Sequence, residues 1–307
     1  MRAAFKRLDE CKGQLNPEKC HVGEKEVVML GHVVSLQGIK VDPSKIKVIE
    51  SLPYPKDIKS LEVFVQKVRY FERFIHMLAQ ALYPFRVILD SNIFVWNPFV
   101  QEKFDRVREL LAKTPILKPP DRNSTFFLSL SVSSHAIGSI LMQQDPHNKL
   151  MHPIYYISRA ISDVEKTFMD VEKWVLALTY ACQKFRSFLI PQHFVIITSM
   201  SLFPYVLQHV NVSSRITKWA LLLVEFDFEV RLESTMRAEL ADLLTYRESL
   251  HEEDLSKLRD ALPEPDIEDA FTLFFDGAYR KGTNLAVGGF ILRNPNGEVV
   301  HAEGILL

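Results

Sequence analysis

The stretch that most limits how this chain can fold is residues 165–188, EKTFMDVEKWVLALTYACQKFRSF. Its apolar residues Phe168, Val171, Trp174, Val175, Leu178, Cys182 and Phe185 recur three or four apart, which predicts an amphipathic helix. Glu172 lies off the centre of that stripe and reads as a solvated helix charge. Three strand-like runs precede the helix, FFLSLSV (126–132), AIGSILM (136–142) and PIYYIS (153–158). After it come FVIIT (194–198), a helix-like run to about 223, FDFEVRL (226–232) and a last helix from about 237. Strand, strand, strand, helix, strand, helix, strand, helix is an order that builds a mixed α/β sheet with helices packed on it.

That is also the order of the ribonuclease H fold. HPIYYISRAI (152–161), EKWVLALTYACQKFRSFLI (172–190), RITKWALLLVEFDFEV (215–230) and AELADLL (238–244) resemble the ribonuclease H region of gypsy-type LTR-retrotransposon polyproteins. The resemblance implies RNA–DNA hybrid hydrolysis by two Mg²⁺ ions on a carboxylate cluster, which activate water and stabilise the leaving oxygen. Mapped onto this chain, the first carboxylate falls on Ser131, the helical one on Trp174 and the third on Ser199. Asp242 alone keeps its acid, as a weak or relict metal ligand. Serine is a poor Mg²⁺ ligand and tryptophan is none, so the expectation is a catalytically dead domain. Its relict positions should share one patch, with Trp174 mostly buried.

Upstream, LNPEKC, LGHVVS and GIKVDPSKI resemble the end of a gypsy-type reverse-transcriptase palm. The hairpin Met29-Leu30-Gly31-His32 corresponds to that family's primer grip. The helical runs 44–52, 60–75 and 99–114 resemble the polymerase thumb. There the resemblance puts Arg69 and Arg73 beside nucleic acid, whereas Glu72 stands where a basic residue is usual. The fingers and the palm aspartates do not occur in this sequence, so polymerisation is not expected of it. Near the other end FFDGAYRKGTNLAVGGFIL resembles the start of a second ribonuclease H domain, with Asp276 at its first acid and Asn296-Gly297 as a later turn. A decayed first copy followed by a second resembles plant gypsy-type elements.

Composition sets outer limits. Hydrophobic residues make up 47% and charged residues 24%, as in globular proteins generally. No apolar run approaches the roughly 18 residues of a membrane span, and the first 20 residues lack the apolar core of a signal peptide. Cys11, Cys20 and Cys182 form neither a disulfide framework nor a zinc pattern, which points to an intracellular setting. The net charge of −1 is unevenly spread: residues 1–120 carry 20 Lys/Arg against 14 Asp/Glu, and residues 248–270 carry two against nine. The basic part suits a phosphate backbone.

The expected organisation is a palm end at 1–43, a thumb-like region at 44–117 and a degenerate ribonuclease-H-like five-stranded domain at 124–247. An acidic linker at 248–270 and a truncated second ribonuclease-H-like sheet at 271–307 follow. Trp219 and Ala220–Val224 read as core. Tyr155 and Tyr156 should face opposite sides of their strand, and His152 and Arg159 read as solvated strand ends, with phosphate contact as the alternative. Three functions fit: a non-cleaving module that grips an RNA–DNA hybrid or other nucleic-acid backbone, an active hybrid ribonuclease, or a remnant of a decayed element. A polymerase portion of a longer polyprotein is a further expected partner.

Overall fold

The structure is a computed structural model that describes residues 2–14, 16, 20, 23–146, 148–200, 214–232, 243, 252–261, 272–280, 285–293 and 299–306. It divides into two compact units, Met1–Arg259 and Asp260–Leu307.

The first unit opens with helix α1 (Arg2–Glu10) and a small antiparallel sheet, β1 (Glu26–Met29), β2 (His32–Ser35) and β3 (Gly38–Val41). A helical region follows, consisting of α2 (Pro43–Glu50), α3 (Ile58–Arg69), a 3-10 turn (Glu72–Phe74), α4 (Leu78–Ala81), α5 (Tyr83–Ser91) and α6 (Pro98–Ala112). Their starts are written in the sequence. Asp42 caps α2 ahead of a proline, Asp57 and Ser60 form a capping box on α3, and Asn97-Pro98 opens α6 with Asn97 accepting the Val100 N–H at 2.9 Å.

The main sheet has the order β6-β5-β4-β7-β8, from β4 (Phe126–Val132), β5 (Ala136–Gln144), β6 (Met151–Ala160), β7 (Phe194–Thr198) and β8 (Phe228–Leu232). β4, β5 and β6 are antiparallel, while β4–β7 and β7–β8 are parallel. The expected mixed five-stranded sheet is therefore present. The expected long helix is broken into α7 (Asp163–Lys166), α8 (Asp170–Lys184) and α9 (Arg186–Leu189). Ser162 and Glu165 cap α7, and Glu172 accepts the Met169 N–H at 3.1 Å to restart the chain as α8.

Side-chain alternation along β4 sorts two cores. Phe126, Leu128 and Leu130 meet Val175, Leu178 and Cys182 of α8. Phe127, on the other face, joins Ile140, Met142 and Tyr156 in a core shared with Phe64, Phe74, Leu78, Phe85 and Phe104 of the helical region. Tyr155 faces the α8 side, so the two tyrosines do point opposite ways. Packing runs on across 118–123. Ile39 and Leu117 form a β-bridge, and buried Gln143 donates to the Asp121 and Ser124 carbonyls at 2.6 and 2.7 Å.

Three expectations need correction. Glu172 is 3% exposed, because it caps α8 and pairs with Arg215 at 3.3 Å. In helix α10 (Ser214–Leu223) Ile216 and Leu223 turn inward, whereas Leu221, Leu222 and Val224 are exposed. A helix against one sheet face buries a single stripe, and Trp219 lies only partly within it. The acidic stretch expected as linker contains helix α11 (Glu252–Asp260). Leu255 packs on Tyr83 and Leu258 joins the core of the helical region. Two leucines three residues apart anchor it despite its charge. The helix expected from about 237 lies outside the described residues apart from Leu243, which is buried.

The second unit is an antiparallel meander of β9 (Thr272–Arg280), β10 (Leu285–Arg293) and β11 (Val299–Leu306). The turn at Asn296-Gly297 lies outside the described residues.

Candidate nucleic-acid interface

The β1–β2 turn consists of Leu30 at φ 49° and Gly31 at φ 71°. Two successive left-handed residues make the tight turn that matches strand twist, and Gly31 supplies one at no steric cost. Two donors hold the Leu30 carbonyl. One is the Tyr70 hydroxyl, and the other is His32 Nδ1 at 2.9 Å, which must carry the proton because a carbonyl only accepts. The His32 ring lies stacked against Tyr70 and Phe74, with centroids 5.3 and 5.4 Å away. Burial first, and then the Arg73 charge, lower its pKa below the ordinary histidine value, against an opposing contribution from the Leu30 carbonyl. A neutral imidazole thus fixes the turn to α3.

The turn overhangs a groove of about 690 Å³ between itself, α2 and α3. Val63 and Lys67 share one face of α3, Tyr70 continues that face at its C-cap, and Lys45 and Val48 come from α2. Leu30 is 83% exposed and Tyr70 50%. Apolar walls with two ammonium groups suit a backbone of alternating sugar and phosphate. Sequence reasoning found the turn but missed Lys45, Lys67 and Tyr70. The signal for Lys67 and Tyr70 was the i, i+4, i+7 spacing of 63, 67 and 70, whereas Lys45, on α2, had none.

Met29, Leu30 and Gly31 form the protruding end of this hairpin, while His32 supports it from within. Arg69 is exposed on the neighbouring side of α3. Arg73 is turned inward, with its guanidinium 4.8 Å from the Tyr155 ring centroid and 5.7 Å from that of Phe74. Glu72 turns toward β6 and away from the groove under the turn. It accepts the Ser158 N–H at 3.3 Å, and burial raises its pKa. Arg159 is a part-buried residue, bound bidentate to Glu165 at 2.7 and 2.8 Å, rather than a freely solvated strand end. His152 is partly buried, and its pKa is lowered by that burial and by Lys118.

The family's carboxylate positions are not drawn into one patch. Ser131 leaves β4 on the side of the helical region, where its Oγ lies 2.8 Å from His76 Nε2. Trp174 is half-buried in the cluster on the α8 side, so these two side chains do not share a face of the sheet. Ser199 is exposed just beyond β7, and Asp242 lies outside the described residues. Asp276 sits on β9 opposite Gly289 in the second unit. Among the described residues no three His, Cys, Asp or Glu are grouped as a metal site. A hydroxyl already bound to histidine, an indole and a second hydroxyl do not fit the oxygen-rich donor set that Mg²⁺ needs. No helix among the described residues is long and apolar enough to cross a membrane.

Comparison with known proteins agrees with this architecture. The family described as the ribonuclease-H-like domain found in reverse transcriptase matches residues 96–196, taking in α6. The chain is 31% identical to the retrovirus-related Pol polyprotein from transposon 412 of Drosophila melanogaster, over 78% of this chain and 19% of that protein. It is 28% identical to the corresponding polyprotein from transposon 297, over 80% of this chain and 23% of that protein. For that from transposon opus the figures are 27%, 89% and 28%. The chain thus spans 19–28% of the length of these relatives. Among solved structures, the foamy viral protease–reverse transcriptase in complex with RNA/DNA hybrid superposes with a TM-score of 0.60 at 17% identity, covering 94% of this chain and 39% of that one. A foamy viral form in complex with double-stranded DNA gives 0.63 at 18% identity, covering 74% and 41%. By sequence and by fold, the chain is of the gypsy/retroviral Pol type, with a reverse-transcriptase-like region followed by a ribonuclease-H-like domain.

Proposed function

We propose that this chain is a non-cleaving nucleic-acid-binding module, in which the 29–32 turn and α3 grip the backbone of an RNA–DNA hybrid. The observation that carries the reading is the groove under the turn, where exposed Leu30 and Tyr70 are flanked by Lys45 and Lys67. Solved structures of similar fold are described in complex with RNA/DNA hybrid and with double-stranded DNA, which supports a duplex as the ligand. The ribonuclease-H-like sheet serves as a tether. Ser131 and Trp174 do not share a face of the sheet, so the two do not map onto one metal site. A loss of Mg²⁺-dependent hydrolysis is supported instead by the lack of any carboxylate on β4 and by the engagement of Glu172 with Arg215 and the Met169 N–H. The 271–307 segment, with Asp276 on its first strand, is read as the start of a second ribonuclease H domain of the plant gypsy arrangement. Free Cys11, Cys20 and Cys182 accord with a reducing, intracellular setting.

The test is a hybrid-binding titration at several salt concentrations. Phosphate contacts release counterions, so affinity should fall as salt rises. Lys45→Ala with Lys67→Ala should weaken binding and flatten that slope by roughly one to two units. Absence of salt-dependent binding would favour the remnant reading.

A further inference from the structure

A second cleft, of about 440 Å³, opens between α3, α5 and the end of β6. Its walls are Val65, Leu78, Leu82 and Leu89, and three guanidiniums, Arg69, Arg86 and Arg159, line it. We propose that this cleft binds a phosphate-bearing anion, with the three arginines as its donors. A guanidinium carries five N–H groups in a planar fork. Arg159 gives three hydrogen bonds to Glu165 and the Ala160 carbonyl and lies 5.3 Å from the Tyr180 ring, so it is held in place with donors to spare. Arg86 uses only its Nε, on Asp90 at 3.2 Å. Arg69 is exposed at the end of α3, with Glu72 as its electrostatic neighbour. Arg159 is thus fixed before a ligand arrives, which reduces the ordering needed on binding, while Arg86 and Arg69 are exposed and free to adjust.

Opposing them in the cleft are Glu72 and Asp90. Asp90 is matched by Arg86. Glu72 is the exception, since burial favours its neutral form. The groups around it are Arg69 from α3, Arg86 and Asp90 from α5, Arg159 from β6, and Lys184 and Tyr180 from α8. An anion entering among the arginines would further favour protonated Glu72. Binding of the oligonucleotide, whose phosphodiesters do not titrate in this range, should therefore tighten as pH falls, whereas phosphate and the monophosphate lose charge of their own. The apolar walls would accept the flat part of a nucleotide as well as the aliphatic edge of a strand. The shared chemistry is the phosphate, free or within a polynucleotide. The site is separate from the groove under the turn and does not depend on that reading.

The experiment is calorimetric titration of the full chain with inorganic phosphate, adenosine monophosphate and an oligonucleotide lacking terminal phosphates, repeated near pH 5.5 and pH 7.5. Expected is saturable binding that weakens about tenfold or more in Arg69→Ala and in Arg86→Ala and tightens in Glu72→Gln, with Lys113→Ala, on the surface away from both clefts, unchanged. Binding of phosphate and the monophosphate alone would assign a free ligand. Binding of the oligonucleotide that Arg69→Ala still weakens in a chain already carrying Lys45→Ala and Lys67→Ala would assign a strand. Absence of saturable binding of all three probes, or affinity untouched by Arg69→Ala in a folded variant, would overturn the proposal.

Discussion

Single residues show how charge is used inside this chain. Glu172 looks like an ordinary helix carboxylate in sequence, yet it is buried, capping α8 and pairing with Arg215. Glu172→Ala should therefore destabilise the chain by about 1–3 kcal/mol in chemical denaturation, where a solvated charge would contribute next to nothing. Glu72 works in the opposite sense. Its folded pKa is raised above the ordinary 4.5, chiefly by burial, so the folded state holds that proton more tightly than the unfolded chain. Its contribution to stability is most favourable below pH 4.5 and is lost as pH rises through the raised folded value. Glu72→Gln keeps an acceptor for the Ser158 N–H without the charge. The variant should exceed the parent in stability at pH 7, with the difference vanishing near pH 4 in paired denaturation curves.

At the scale of elements, the strands were the most legible. FFLSLSV and FVIIT appear in the structure with the bounds that their β-branched and aromatic runs suggest. The 165–188 helix was legible in its periodicity but not in its interruptions, because Ser162 and Met169 start new helices through contacts that apolar spacing does not report. The site was half legible. The turn at Leu30-Gly31 has a sequence signature, whereas the inward turn of Arg73 depends on Tyr155, which lies on a strand more than 80 residues away. The β3 strand carries its own test. Gly38 has φ 133°, and a Cβ there would collide with the Leu117 carbonyl, to which Ile39 donates at 2.8 Å. Gly38→Ala should cost roughly 3 kcal/mol or more and loosen the small sheet from 117, whereas Gly31→Ala should cost less, about 1–2 kcal/mol. Hydrogen exchange at Ile39 reads the difference.

For the whole first unit, the notable feature is that helical region and sheet share one core. Phe74, Leu78 and Phe85 pack with Phe127, Ile140 and Tyr156. Polar contacts reinforce the join, with Ser158 Oγ accepting the Ala79 N–H at 3.0 Å and His76 meeting Ser131. Residues 44–200 should consequently unfold in one cooperative transition by circular dichroism and fluorescence, rather than as separable thumb and ribonuclease-H-like steps. Limited proteolysis gives a second view of the same scale. Buried Leu255 and Leu258 should protect 252–260, so early cleavage within that helix would contradict its docking.

The central claim is that an architecture shared with nucleases here holds nucleic acid without cutting it. The direct measurement is incubation of the full chain with an end-labelled RNA–DNA hybrid in Mg²⁺ and, separately, Mn²⁺, with binding followed in the same samples. The expected result is a salt-sensitive complex and intact RNA, because β4 offers no carboxylate to an ion and Glu172 of α8 is engaged by Arg215. Metal-dependent cleavage of the RNA strand, abolished by Asp242→Asn, would contradict the account.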